Sequence, residues 1–532
     1  MKNIKKNTST SNITAIGIQG LKENWKADML AGFMVFLLAL PLSLGIAKAS
    51  GFPASMGVLS AMVGGMAMVF FRVAPLTIKG PAAGLITISA AAIMEFGGGE
   101  QAWHIVSTVV VVMALFQILT GILKLGSLSD FFPHSAVHGM LAAIGMIIIL
   151  KQIPVLMGDD PSIFKVEGPI ELFLDIPKFI LYAHWHIAII GIIGLLILFT
   201  LPRLKSKLIK SIPAPLIVLL VAVPLTIIWH FKQTEPEYSL VHIGDFWGSI
   251  GFNLDFSAIN SFAFWKYVVM FYFVSSLESL LTVKAIDTLD PEKRLSDPNG
   301  DLIGQGTANA LAGLFGGLPV ISEVVRSSAN VSYGAKSKWA NFFHGLFLLL
   351  AMIFMIPLIE LIPNAALAAM LIYAGYNLTA PKHFIHAYQI GKEQFIIFLV
   401  TIVVTLAEDL LLGIAAGILV KFIIELINGV NIKSFFKAHY DTEQKDGKFI
   451  IHVKEAAVFS NLLGFKKLIN NKRKESSLII DFSQAKYIDH SFMSYIKYVE
   501  QESEAEDFKI VGLDHHKPLS KHILAARKLV KQ

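Results

Sequence analysis

Gly316-Gly317-Leu318-Pro319-Val320-Ile321-Ser322-Glu323-Val324-Val325-Arg326 is the stretch on which the reading of this chain turns. A glycine pair and a proline lead into a helix, inside a segment, Leu314 to Tyr333, too short and too interrupted to cross a bilayer as an ordinary span. The same grammar occurs once earlier. Leu76-Thr77-Ile78-Lys79 approaches in extended form, and Gly80-Pro81-Ala82-Ala83-Gly84 opens a helix of small and apolar residues that runs to Glu95. The later segment enters from the opposite side. Irregular backbone at membrane depth survives only where protein or a water-filled cavity surrounds it. Two half-helices in corresponding places therefore point to a transport site, and their N-termini, with free N–H groups and positive dipole ends, suit an anion.

Composition supports a membrane as the main solvent. Hydrophobic residues make up 54% of the 532-residue chain and charged residues only 16%, with a mean hydropathy of +0.62, outside the range of ordinary soluble domains. Apolar runs recur from Met29 to Val430, for example Leu30 to Ala47, Ile105 to Leu123 and Phe395 to Leu406. Divided at polar and Gly/Pro breaks, they accommodate about fourteen crossings. The net charge of +6 reflects basic residues in short loops, which set topology rather than bind nucleic acid. Arg72, Lys124, the cluster Arg203, Lys205, Lys207 and Lys210, then Lys284, Lys293, Arg294, Lys336, Lys338, Lys382 and Lys392 fall in even-numbered loops, which places both termini inside. Lys151, Lys165, Lys178 and Lys232 run against the pattern. A chain with no cysteine forms neither disulfides nor thiolate metal sites.

Three parts follow: a basic cytosolic tail, residues 1–28; a transport region, 29–430, with repeats of about 29–230 and 262–430; and a charged domain, 431–532. In the last, strands are expected over Phe449 to Val453, Ala457 to Ser460, Leu478 to Phe482 and Lys509 to Gly512. Helices are expected over Leu462 to Ile469 and Ser491 to Gln501, giving a small α/β sandwich around one sheet. Ser491 reads as an N-cap.

Over almost its whole length the chain resembles the SulP sulfate-permease family of anion transporters, with a tail similar to STAS domains. The matching stretches are Leu30 to Ala47 with Pro41, Thr77 to Gly84, Ser276 to Asp287, Gly304 to Ser337 with Arg326, Asn330 and Gly334-Ala335-Lys336, and Asp409 to Gly417. Asp481 and the loop Ile488-Asp489-His490-Ser491 carry the STAS likeness, and in signalling relatives the serine near this loop is phosphorylated. The resemblance implies a uracil-permease-like fold of two inverted seven-span repeats, a core moving against a gate in elevator fashion, and a homodimer in the inner membrane. No enzyme activity, cofactor or resident metal is implied.

The anion is expected between the half-helix starts, at Gly80, Pro81, Ala82, Ala83, Val320, Ile321 and Ser322, with Pro41 and Leu42 from the first span. Arg326, about two turns after Pro319, supplies fixed positive charge. A buried arginine in an apolar setting costs several kcal/mol unless it faces water, protein or a partner. Glu278 stands in an otherwise apolar eighth span. The resemblance gives this position to the coupling acid of proton-linked members; in bicarbonate members an aspartate here and the threonine matching Thr282 bind Na⁺. Departures are visible too. Leu42 replaces the usual glutamine after Pro41, and Lys79 and Glu323 stand where small or hydroxyl residues are usual, so these two are expected to form an ion pair across the site. His134 and His138 have chelate spacing but no third ligand nearby.

The expected substrate is a small inorganic anion of the bicarbonate or sulfate class, coupled to H⁺ or Na⁺. A nucleobase permease of the same fold, favoured by acids on the eighth and tenth spans, and a membrane sensor for a STAS-bound cytosolic partner are the other readings.

Overall fold

The structure is a computed structural model that describes residues 17–126, 133–160, 168–204, 212–252, 254–294, 296–408, 410–445, 448–472, 477–502 and 507–530. Lys165, Lys205, Lys207, Lys210 and Asp409, named above, lie outside them.

The apolar runs become helices. In chain order these are α1 (Ile18–Ala49) and α2 (Ala54–Ala67), then the two-residue strand β1 (Lys79–Gly80), α3 (Ile86–Glu95), α4 (Gly99–Ile122), α5 (His134–Met157), α6 (Pro169–Leu181), α7 (Trp185–Thr200) and α8 (Ala214–Ile228). There follow α9 (Phe262–Leu289), α10 (Pro298–Leu314), a second two-residue strand, β2 (Ile321–Ser322), α11 (Val324–Ser332) and α12 (Trp339–Phe354). α13 (Asn364–Thr379), α14 (Pro381–Ile390), α15 (Lys392–Ala407) and α16 (Leu410–Ile427) complete the helical part. Among the described residues, 6 helical stretches are long and apolar enough to cross a membrane, and shorter apolar helices accompany them. The starts follow local chemistry: Ser261 Oγ accepts the Phe264 N–H to cap α9, and Asp297 caps α10 with Pro298 at its first position.

The chain divides into two compact units. The first comprises Met1–Lys124 and Trp185–Met370. Helix α1 begins at Ile18, so Lys22 and Lys26, within the expected tail of residues 1–28, occupy its first turns. Asp28, at the end of that expected tail, is buried and accepts the backbone N–H groups of Lys336 and Ser337 at 2.7 and 3.0 Å and the Ser337 hydroxyl at 2.6 Å. Small residues set the helix spacing. A Cβ on Gly65 would fall 2.8 Å from the Asn341 carbonyl oxygen, and one on Gly313 would fall 2.9 Å from that of Ser107.

The second unit comprises Leu125–His184 and Leu371–Gln532. The glycines of α5 serve close packing: a Cβ on Gly139 would lie 2.6 Å from the Phe398 carbonyl oxygen, and one on Gly145 2.5 Å from that of Gly375. His134 and His138 face different rings, His490 at 6.3 Å and His383 at 6.2 Å.

Beyond α16 the chain builds a sheet of β3 (Tyr440–Lys445), β4 (Lys448–Ala457), β5 (Ser477–Ile488), β6 (Asp507–Val511), β7 (His516–Pro518) and β8 (Arg527–Leu529). Its order is β3-β4-β5-β8-β7, with β6 also paired to β5. β4 and β6 run parallel to β5, whereas β3 and β8 close the ladder antiparallel. Helices α17 (Leu462–Lys472) and α18 (His490–Glu502) connect the strands, and Phe465, Ile469, Phe492 and Ile496 fill a core with Ile451, Leu478, Ile480 and Phe482. This sheet-containing region fits a STAS domain. The expected strand over Ala457 to Ser460 does not form. Val458 N–H donates to Asn461 Oδ1, and Phe459–Asn461 is a 3₁₀ turn. Strands β3, β7 and β8 add to the sequence reading.

At the start of α18 the N-cap is Asp489, not Ser491. Its carboxylate accepts the N–H groups of Phe492 at 2.7 Å and Phe459 at 3.0 Å. The same carboxylate meets Lys421 Nζ of α16 at 3.0 Å, and Lys421 also holds Glu425 at 3.0 Å, all three fully or almost fully buried. Ser491 is buried beside them.

Candidate functional site

The two interrupted segments meet as strands. β1 and β2 pair antiparallel, Lys79 with Ser322 and Gly80 with Ile321. From β1 the chain passes Pro81 and a 3₁₀ turn, Ala83–Leu85, into the 10-residue α3. From β2 it passes Glu323 into the 9-residue α11. The irregular backbone does not go unsatisfied. Ser322 N–H donates to Ser279 Oγ (2.9 Å), Leu318 N–H to Ser60 Oγ (2.7 Å), Ile78 N–H to Ser327 Oγ (2.9 Å), and Val320 N–H to Asn309 Oδ1. Asn309 also donates to Gln117 Oε1 at 2.8 Å, and the Gln117 amide reaches Ser275 and Ser276 of α9. Ala82, Val320, Ile321 and Ser322 are all buried. Thus Gly80 meets Ile321 beside Ser322 at the strand pair, and Pro81 to Ala83 follow directly on it toward α3.

Charged groups occupy the room that two glycines leave. A Cβ on Gly80 would fall 2.6 Å from Arg326 Nη1, and one on Gly84 would collide with the Glu278 carboxylate. Any larger residue at either place displaces a charge. Arg326 is fully buried, and Nε, Nη1 and Nη2 have no protein acceptor among the described residues. Glu278 Oε2 is likewise buried without a partner. Glu323 lies within electrostatic reach of both. Thr282, one turn beyond Glu278, is buried on the same helix. Pro41 and Leu42 sit in the last third of α1, and none of these hydrogen bonds or close approaches involves them.

The expected ion pair between Lys79 and Glu323 is replaced by another. Lys79 Nζ lies 2.6 Å from Asp301 Oδ2, with both side chains 0% exposed, and also donates to Ser322 Oγ. Asp301 Oδ1 accepts the Ala74 N–H at 3.2 Å, tying α10 to the approach of β1. Glu323 instead turns back on its own helix and accepts the Arg326 N–H at 2.6 Å. The reason is local: an acid at an N-cap satisfies an orphan donor within its own turn, whereas Lys79, on β1, is met by an acid from a third element. Asp301 looks in sequence like an ordinary first-turn acid of α10, so nothing there marks it as the partner. Asn341, Ser327 and Ser279, which fix β1 and β2, and His344, which lies near Arg326, were equally silent.

The arrangement can do two things: present a guanidinium to a small anion beside the start of α3, the start of α11 being capped by Glu323, and offer a carboxylate to a proton or cation. The sulfate permease family model matches residues 25–401. Similar curated proteins include the putative sulfate transporter YvdB of Bacillus subtilis, 26% identical over 75% of this chain and 73% of its own. The bicarbonate transporter BicA of Picosynechococcus is 25% identical over 77% of this chain and 72% of its own. Among solved structures, the transmembrane domain of a cyanobacterial BicA aligns with a TM-score of 0.64 at 21% identity over 74% of this chain and 97% of that one. SLC26A9 aligns with a TM-score of 0.66 at 16% identity over 92% and 85%. With this match spanning most of its length, and with paired half-helices around a buried arginine, the chain belongs to the sulfate permease family of multi-pass membrane transporters, not enzymes.

Proposed function

We propose that the chain is a secondary active transporter of a small inorganic oxyanion of the bicarbonate or sulfate class, held between the starts of α3 and α11. The Arg326 guanidinium carries this reading: it is fully buried, without a protein acceptor, and pressed against Gly80 at the β1–β2 pair. Glu323 lies within its electrostatic reach, yet the buried guanidinium hydrogen bonds stay unmade unless a ligand accepts them. Glu278, with one oxygen unpartnered across from Gly84, is the coupling acid that takes a proton or, with Thr282, a sodium ion. Every residue in this reading belongs to one unit, in keeping with an elevator in which site and substrate travel together. The relatives named above, a putative sulfate transporter and a bicarbonate transporter, support an anion over a nucleobase. The protein is expected to act as a homodimer in the cytoplasmic membrane with both termini inside. Uptake into proteoliposomes of labelled bicarbonate, sulfate, fumarate and uracil, under imposed H⁺ and Na⁺ gradients, tests this. Uptake of uracil alone, or anion uptake unchanged in Arg326→Ala, overturns it.

A further inference from the structure

Helix α12 carries a histidine that neither the packing nor the site uses. His344 is 0% exposed, and neither Nδ1 nor Nε2 has a hydrogen-bond partner among the described residues. A neutral imidazole brings one donor and one acceptor. Burying polar groups unpaired is unfavourable, so an apolar side chain would make the better core. The ring's position is set from several sides. One turn earlier on α12, Asn341 accepts the Lys79 N–H at 3.1 Å and donates to the Gly64 and Gly65 carbonyls at 3.1 and 3.3 Å. α1 comes so close that a Cβ on Gly32 would fall 2.9 Å from the His344 N.

The charges around His344 can be taken element by element. α1 carries Lys22, Glu23, Lys26, Asp28 and Lys48; Asp28, one turn from Gly32, is committed to Lys336 and Ser337. α2 and the turn Met68–Phe70 bring no titratable side chain, and neither does the short helix Ile356–Ile359. On β1, Lys79 is neutralised by Asp301. The charge that acts on the ring is Arg326 of α11, whose guanidinium has no hydrogen-bond acceptor among the described residues; Glu323, which caps α11, is the acid within reach of Arg326.

Resting on the anion reading of Arg326, we propose that His344 is a proton-binding group of the transport cycle, whose proton is taken up and released together with the anion. A proton from the solution adds to an imidazole nitrogen and makes the ring a cation. Beside Arg326 this adds a second positive charge, more than Glu323 alone balances, and the anion offsets the excess. The converse holds by linkage: a proton on His344 tightens the anion, and the anion tightens the proton. This differs from protonation of Glu278, which removes a negative charge instead of adding a positive one. Two protonatable groups of opposite sign in one site let the anion be accompanied by a proton even when Glu278 is occupied by another cation.

The test uses the full-length protein in nanodiscs, with sulfate as probe because its charge is constant between pH 5.5 and 8.5, and with chloride alongside it. In the wild type the sulfate Kd should fall on acidification, by at most about tenfold per pH unit for one linked proton, and adding sulfate in weak buffer should take up protons. In His344→Gln the Kd should lose its pH dependence and proton uptake should vanish. His344→Asn gives the same readout should the glutamine variant not fold. Measured in a Glu278→Gln background, the dependence should persist. A wild-type slope in His344→Gln, or a slope abolished by Glu278→Gln alone, overturns the inference. If neither sulfate nor chloride binds the wild type, labelled bicarbonate takes their place in the same comparison of variants; if it does not bind either, the anion reading of Arg326 fails, and this inference fails with it.

Discussion

Lys79→Met should be among the most damaging single changes outside direct contact with the anion. It leaves Asp301 Oδ2 in a place where both side chains are 0% exposed and the cation 2.6 Å away was its neutraliser; among the described residues Oδ1 retains the Ala74 N–H. Removing one partner of a buried pair costs about 3–5 kcal/mol, most of it the penalty on the charge left behind. Asp301→Leu strands the Lys79 ammonium with Ser322 Oγ as its remaining partner, at a similar cost. The double variant Lys79→Met/Asp301→Leu removes both charges and should be more stable than either single one. The interaction energy should lie near the top of the roughly 0.5–3 kcal/mol range seen for contacting residues. Lys79→Met with Glu323→Gln serves as control: Glu323 caps its own helix, so those two effects should nearly add. Denaturant or thermal unfolding in detergent, with uptake measured on the same preparations, gives the cycle. If the Lys79 and Asp301 effects merely add, or if Glu323 rather than Asp301 rescues Lys79→Met, the ion-pair geometry is wrong.

Arg326→Ala should weaken anion binding by roughly 10- to 100-fold, corresponding to the loss of charge-assisted hydrogen bonds worth about 1.5–3 kcal/mol, while the protein stays folded in the membrane; isothermal titration reads it. Glu278→Gln should abolish gradient-driven uptake yet leave anion exchange partly intact, because shape is kept and the compensable charge is gone; wild-type coupling in this variant would refute the role. Lys421→Met should lower the melting temperature by leaving the Glu425 and Asp489 carboxylates buried without their cation, and an unchanged melt would show the triad to be unimportant. Burial holds the His490 imidazole below its ordinary range, so the unfolded chain protonates first as pH falls. Its contribution to stability is present above the unfolded pKa of about 6.5 and is lost on acidification below it. His490→Gln should therefore flatten the fall in stability between about pH 7.5 and 5.5, measured by thermal melts.

The paired half-helices were legible because glycine and proline at fixed offsets mark where a helix must begin, whatever surrounds it. The convergence of Gly80 and Ile321 followed from that. The partner of Lys79 did not, since choosing between Glu323 and Asp301 needs the packing of α10 against β1, which leaves no periodic trace. The N-cap of α18 was missed by two residues for a similar reason: Asp489 and Ser491 are both good caps. Only the long-range demands of Phe459 and Lys421 select the carboxylate. Strands β7 and β8 are three residues each, too short to show alternation. Likewise His344 is one polar residue in an apolar helix. Its meaning rests on which residue of another helix it neighbours.

The Lys421–Glu425–Asp489 triad also bears on how this chain can be cut or recombined. A truncation after Val430 would take away Asp489, one of the two acids that hold Lys421, so the remaining transporter carries a lesion at its own last helix. A chimera that brings in a foreign tail needs a carboxylate at the matching place or meets the same defect. A change of charge at position 489 thus calls for a matching change at 421. An enzyme that modifies Ser491 would first have to pull its loop away from that lysine, so the mark would record a detachment that had already happened.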